Sequence, residues 1–358
     1  MKHQVKHKNL EVIEPINIKK FSHKNPEKVL YDNLYQKFGD RYIDYRKKYE
    51  NNVKNLDMHN VEPYPNTVIL ELVNRCNLEC VMCFQGFRND AKKSTLDNTM
   101  LDKIFLDFKK NKLNSLMLST SEPLLFKNIN EVFDRAKDAG IMDLLLFTNG
   151  TLLNEKNTKM ILDSPVTRLF VSIDGYSEET YNKVRVPVSK RLLDNNQRLK
   201  NLEDNISYFM KERDKRNNDL PLVRTSFVSL KENKIETQKF VNKWREIVDS
   251  VEVQKEVSIQ AYKDIEILKN KKVPRLRKNY SCSEPWGQIT VYADGTVAPC
   301  CNTFGRNLPI GNINENSIKE IWNGEKMTEI REGFKNNQPH KTCQICINNT
   351  STEEIVAN

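Results

Sequence analysis

Three cysteines close an apolar run, Val68-Ile69-Leu70-Glu71-Leu72-Val73-Asn74-Arg75, at positions Cys76, Cys80 and Cys83. Gaps of three and then two residues wrap a short loop around one centre, and thiolates in such a loop are ligands for iron–sulfur clusters or zinc. A four-iron cube takes four thiolates, so a local set of three leaves one iron open to an external ligand. Zinc prefers four protein ligands, and no further Cys or His stands near enough in sequence to complete this loop. The open iron is therefore the expected seat of chemistry.

The remaining five of the eight cysteines lie beyond residue 281: Cys282, the adjacent pair Cys300 and Cys301, and Cys343-Gln344-Ile345-Cys346. A Cys-x-x-Cys pair joined by two more thiols supplies the four ligands of a closed cluster, and a zinc ribbon would use the same set. Tyr292-Ala293-Asp294-Gly295 is a hairpin signal; it predicts Gln288–Tyr292 folded on Thr296–Pro299, with Cys282 drawn towards Cys300. Adjacent residues of an extended segment point to opposite faces, so Cys300 is the expected ligand and Cys301 a spare thiol. The five histidines, at 3, 7, 23, 59 and 340, form no group, and they offer no general base.

These loops need elements to place them. Short apolar strands, Val68–Leu72, Ser115–Ser119, Asp143–Thr148, Arg168–Ile173, Val223–Ser229 and Val251–Gln260, alternate with amphipathic helices near 97–111, 129–139, 155–164 and 195–215. Six βα units predict a parallel α/β sheet of the barrel type, in which chemistry gathers at the carboxyl ends of the strands. The cysteine loop follows the first of them. Ahead of it, 28–51 carries Leu30, Leu34, Phe38, Tyr42 and Tyr45 at helical spacing, and Pro63-Tyr64-Pro65 breaks into the first strand. The expected organisation is a mostly helical segment at 1–65, the barrel at 66–262, a Lys-rich linker at 263–281, a small thiol-bearing domain at 282–350 and a tail at 351–358.

A chain of 358 residues suffices for two domains. Its net charge of +9 comes from lysines interspersed with acids, a solvated surface rather than a nucleic-acid footprint. Neither a signal peptide nor a spanning run of apolar residues is visible, so a cytoplasmic, non-membrane protein is expected, where clustered cysteines mean metal rather than disulfides.

With the cysteine loop at the end of a first strand, the chain resembles the radical S-adenosylmethionine (SAM) superfamily, with Met82 where an aromatic is common. The resemblance implies a partial, six-stranded (β/α)6 barrel, a [4Fe-4S] cluster at Cys76, Cys80 and Cys83, and reductive cleavage of SAM to a 5′-deoxyadenosyl radical. Ser119-Thr120-Ser121-Glu122-Pro123 looks like the family's Gly-Gly-Glu-Pro segment, with both glycines replaced, and carries over Glu122 as the partner of the SAM amine. Thr148-Asn149-Gly150 and Ser172-Ile173-Asp174-Gly175 resemble further family stretches; they imply Ser172 and Asp174 facing SAM and Asn149 nearby. Arg185 matches a common arginine without an assigned role.

Cys282-Ser283-Glu284-Pro285-Trp286, Gly311-Asn312-Ile313, Glu320-Ile321-Trp322-Asn323, Arg331 and the Cys343/Cys346 pair resemble the SPASM/twitch domain. Five cysteines are too few for its two-cluster form, which implies the shortened twitch form with one auxiliary [4Fe-4S] cluster at Cys282, Cys300, Cys343 and Cys346. A twitch-type radical SAM dehydrogenase acts on 2-deoxy-scyllo-inosamine. By that analogy the expected function is oxidation of an alcohol carbon of a sugar, nucleotide sugar or aminocyclitol to the ketone, with flavodoxin or ferredoxin as reductant. Modification of a ribosomally made peptide is the rival enzyme reading, and a non-catalytic iron–sulfur or zinc module the rival from another class. The helical pattern at 1–65 does not read as a leader-peptide domain.

Overall fold

A computed structural model describes residues 18–22, 25–54, 61–84, 94–189, 197–256, 282–301 and 303–348. The expected linker at 263–281, residues 257–260 of the sixth predicted strand and the tail lie outside the described residues.

Along the chain the strands are β1 (Ile18–Phe21), β2 (Thr67–Leu70), β3 (Ser115–Leu118), β4 (Asp143–Thr148), β5 (Arg168–Ser172), β6 (Leu222–Ser229), β7 (Ser250–Lys255), β8 (Gln288–Val291), β9 (Thr296–Ala298) and β10 (Gly311–Asn312). All ten join one sheet in the order β1-β7-β6-β5-β4-β3-β2-β8-β9-β10. From β2 to β7 every pairing is parallel and sequential, the arrangement of a βα barrel. The barrel is open: β1 runs antiparallel on β7 at one edge, and β8 runs parallel to β2 at the other. Both exposed edges of the six-stranded core are thus covered, which suppresses edge-to-edge association.

Alternation along these strands divides two environments. Val68, Leu70, Leu116, Leu118, Leu144, Leu146, Leu169, Val171, Val223 and Phe227 join the main apolar core with the helices. The intervening residues, among them Glu71, Phe147, Phe170, Ser172, Arg224, Ser226 and Glu252, face the other side, the inside of the barrel. The helices are α1 (Pro26–Phe38), α2 (Asp40–Lys54), α3 (Asn98–Asn111), α4 (Ile129–Asp138), α5 (Glu155–Leu162), α6 (Glu178–Val184), α7 (Arg198–Lys215) and α8 (Thr237–Trp244), followed by α9 (Glu284–Gly287), α10 (Ile318–Trp322), α11 (Glu325–Lys335) and α12 (Lys341–Asn348). No described helix is long and apolar enough to cross a membrane.

The apolar stripe at 28–51 forms two helices, because Gly39 adopts φ 55° and ψ −136° and ends the first. Leu30, Leu34, Tyr42 and Tyr45 bury against Met142 and Leu222, residues just ahead of β4 and at the start of β6. Tyr45 donates to Asp143 at 2.9 Å, and the Arg41 guanidinium donates to the carbonyls of Gly140 and Leu113. The pair α1–α2 therefore plugs the end of the barrel opposite the cysteine loop.

Candidate active site: two thiol groups on one sheet

The cysteine loop is held from its far side by an extended segment. Glu79 donates its N–H to Val186 at 2.7 Å, Val81 to Val184 at 3.1 Å, and Val188 to Asn77 at 3.1 Å. This strip carries Arg185 in among the thiols, with its guanidinium donating to Cys80 Sγ at 3.4 Å and ion-paired with Asp174. Around Cys76 a polar mesh closes: Leu78 N–H donates to its sulfur at 3.4 Å, and Asn149 Nδ2 approaches it at 3.6 Å while donating to Asn77 at 2.8 Å. The three thiols share one electrostatic neighbourhood. Burial pushes Cys76 up to about 11, with Glu122, Cys80 and Cys83 adding to the rise and the Leu78 N–H opposing it. Cys80 is likewise raised by burial, against the pull of Arg185. Buried thiols that resist ionisation become ligands when a cationic metal centre compensates the charge, so this donor set fits the cluster.

The carboxylates expected to meet SAM have different surroundings. Glu122 is buried and caps the short 3₁₀ turn at Pro123–Leu125; it accepts from Thr148 Oγ1 at 2.8 Å, Asn149 N–H at 2.8 Å and Leu124 N–H at 3.2 Å. Burial raises its pKa to about 7 in spite of those donors. Asp174, at φ 60°, is also buried, but its carboxylate is taken up by Arg185 and by Val228 N–H at 2.7 Å. Its contacts are thus with the protein. Ser172, half-buried at the end of β5, stands beside Ser226 in register, and Ser226 beside Glu252. This inner row continues below with Phe147 against Phe170, ring centroids 4.5 Å apart, and with Arg224 stacked 3.6 Å over Phe170 and paired to Glu252.

The second thiol group forms around the start of β8. The hairpin pairs β8 with β9 at Thr290↔Ala298 and Val291↔Val297, each strand one residue shorter than the sequence signal predicts. Burial raises the pKa of Cys282, with the charges of Glu284, Cys346 and Cys343 adding to the rise, and burial likewise raises Cys300, with Cys301, Glu284, Cys282 and Cys346 adding. Cys282 and Cys346 thus lie within electrostatic reach of Cys300, and Cys343 within reach of Cys282. Cys301 is close as well, its Sγ 3.7 Å from Glu284 Oε2 and exposed. Gly305 packs so tightly that a Cβ there would lie 2.6 Å from Cys300 Sγ, a cradle that leaves this thiol a fixed direction. The donor chemistry of these thiols, with Cys300 cradled against Gly305, fits an auxiliary cluster. Among the described residues no three His, Cys, Asp or Glu side chains converge tightly enough to grip a single metal ion.

Parallel pairing of β8 on β2 sets Gln288 beside Thr67, so the two thiol groups occupy opposite ends of one strand pair. The hairpin turn, not its cysteines, reaches the mouth of the barrel. There Ala293 N–H donates to Glu71 at 3.2 Å, and Arg306 pairs with the same carboxylate at 3.6 Å. Sequence reasoning missed Glu71, which reads as one polar residue within an apolar strand. It left Arg185 without a role, because its contact with Cys80 needs the non-local pairing of 184–188.

Fold, loop and thiols define a class: residues 70–210 match the radical SAM superfamily and residues 282–347 the SPASM iron–sulfur cluster-binding domain. The chain thus carries a radical SAM domain followed by an iron–sulfur cluster-binding domain, and with them the cofactors of that class: a SAM-binding cluster, SAM and an auxiliary cluster. Over 117 residues it is 32% identical to a probable GTP 3′,8-cyclase of Methanococcus maripaludis (strain C5), a match covering 33% of this chain and 39% of that protein. Among solved structures it resembles Streptococcus suis SuiB bound to S-adenosylmethionine, with TM-score 0.56 and 14% identity over 85% of this chain and 78% of that one. It also resembles anSMEcpe with bound AdoMet, with TM-score 0.55 and 15% identity over 82% of this chain and 89% of that one. These likenesses confirm the fold.

Proposed function

We propose that this chain oxidises a carbinol C–H of a small hydroxylated substrate, a sugar, nucleotide sugar or aminocyclitol, to the ketone. Cys76, Cys80 and Cys83 hold the SAM-binding cluster, Glu122 the SAM amine, Ser172 the ribose, and Cys282, Cys300, Cys343 and Cys346 the auxiliary cluster. Bound SAM and the clusters supply a hydrogen-atom acceptor and a sink for the second electron.

The observation that carries the reading is the inner row Ser172–Ser226–Glu252 with Arg224 and Gln254, a polar wall beside the SAM positions. Hydroxyl groups find both donors and a carboxyl acceptor on such a wall, and Phe147 and Phe170 offer an apolar floor. We assign the hydroxyl proton to Glu252, whose carboxylate Arg224 and Gln254 orient. Residues 25–54 bury one face against Met142 and Leu222, which supports a structural role for this segment. The name of the M. maripaludis relative puts purine nucleotides on the list to screen.

The test is anaerobic reconstitution followed by incubation with substrates deuterated at the carbinol carbon. Label appearing in 5′-deoxyadenosine, together with a ketone product, is expected from one member of the sugar, aminocyclitol and nucleotide set. Turnover of a peptide, with none of these oxidised, would sink the reading.

A further inference from the structure

Thr120 has φ +77°, a conformation that suits glycine and strains a β-branched side chain. It stands two residues before Glu122, where the resembling family segment has glycine. The loop keeps the glycine backbone without the glycine. Something must hold it there, and a buried acceptor does: Thr120 Oγ1 donates to Glu71 Oε2 at 2.7 Å, and Ser121 Oγ approaches the same oxygen at 3.4 Å. The other oxygen, Oε1, accepts Ala293 N–H at 3.2 Å and faces Arg306 at 3.6 Å, both from the auxiliary domain. Arg306 is itself fixed, bonded to Asp294 at 2.7 Å and stacked over Tyr292 at 4.2 Å.

We propose that Glu71 is a positioning residue that holds the 119–122 loop in its SAM-binding shape and ties that shape to the hairpin of the auxiliary domain. The inference rests on the reading that this loop, through Glu122, serves SAM. Two hydroxyls on one carboxylate oxygen hold Thr120 in a conformation that glycine would adopt freely. The hairpin acts as a strut: Cys300 follows its second strand at one end, and its turn brings the Ala293 N–H onto Glu71 at the other. Assembly of the auxiliary domain thereby favours a formed SAM loop.

The experiment measures SAM affinity of the reconstituted full chain, with iron content checked for each variant. Thr120→Val, which keeps the shape but cannot donate, and Glu71→Ala are each expected to weaken SAM binding about tenfold with iron unchanged. Thr120→Gly is expected to bind SAM as the wild type does, and Glu71→Ala with Thr120→Gly to regain most of the loss, because glycine needs no anchor at φ +77°. A structural role for Glu71 alone would not produce that rescue. Wild-type affinity in Glu71→Ala, or a double variant as weak as Glu71→Ala, overturns the proposal. Should Glu71→Ala fail to fold, equal affinities for Thr120→Val and Thr120→Gly overturn it by themselves. Unchanged affinity in Glu122→Gln would remove the SAM assignment of the loop, whereas weak binding in Glu122→Gln beside a normal Glu71→Ala removes only the coupling.

Discussion

Glu122 is held in a form its surroundings oppose. Burial raises its pKa from the usual 4.5 to about 7, so between those values the folded chain binds more protons than the unfolded one. Stability therefore falls as pH rises through that window and is level above it. SAM binding has the opposite sign, because the ammonium or amine of SAM needs the ionised acceptor. We expect the SAM dissociation constant to rise about tenfold per pH unit below about 7 and to be flat above it. A Glu122→Gln variant measured by the same titration should bind weakly with no such pH dependence; an unchanged profile would dismiss Glu122 as the amine partner. Glu252→Gln should lower ketone formation by about a hundredfold or more while SAM cleavage continues uncoupled from product. Oxidation at the wild-type rate would remove Glu252 as the base. At this scale the sequence was informative where a residue's chemistry is local. Cysteine spacing needs only a loop, whereas Glu71, Arg185 and Glu252 acquire meaning from partners 49, 105 and 28 positions away across the sheet.

Elements were legible in proportion to their length and apolarity. The six barrel strands begin within one residue of their expected starts, since buried parallel strands read as continuous apolar runs bounded by turns. The short helices α6 and α8 went unread. α6 has seven residues and depends on a Ser177 cap, and α8 buries Phe240, Val241 and Trp244 against β6 and β7 in a stretch too brief for periodicity to register. The barrel plug could be foreseen as helical but not located. Its anchor is Asp143, a buried carboxylate that Arg168, Thr167 Oγ1 and Tyr45 all reach, and Arg168 holds its pKa below the usual value against the cost of burial. Asp143→Ala would leave the Arg168 charge unpaired, and we expect a loss of about 3–5 kcal/mol in urea unfolding. Tyr45→Phe, which removes one hydrogen bond, should cost only about 1 kcal/mol. A smaller loss for the aspartate than for the tyrosine would show that the plug is held by its apolar contacts instead.

Across the whole molecule the auxiliary domain is an extension of the catalytic sheet, not an appendage. β8 continues the parallel register of β2, and the two thiol groups follow from opposite ends of that strand pair, of which Thr67 to Glu71 spans roughly 13 Å at 3.3 Å per residue. In the proposed oxidation the second electron would leave along this shared edge, and the fate of the reaction should depend on the thiols at the far end of the strand pair. Cys343→Ala with Cys346→Ala is expected to hold about four irons where the wild type holds about eight, to keep cleaving SAM, and to form no ketone. Cys76→Ala, Cys80→Ala and Cys83→Ala together should also hold about four irons, now in the auxiliary site, and make no 5′-deoxyadenosine. The two results separate the roles, because each variant loses one cluster and a different half of the chemistry. Unchanged ketone formation in the Cys343/Cys346 variant would leave the hairpin as a strut for the SAM loop alone. The oxidation would then have to send its electron elsewhere, and redox-neutral chemistry on the same polar wall would become the better account.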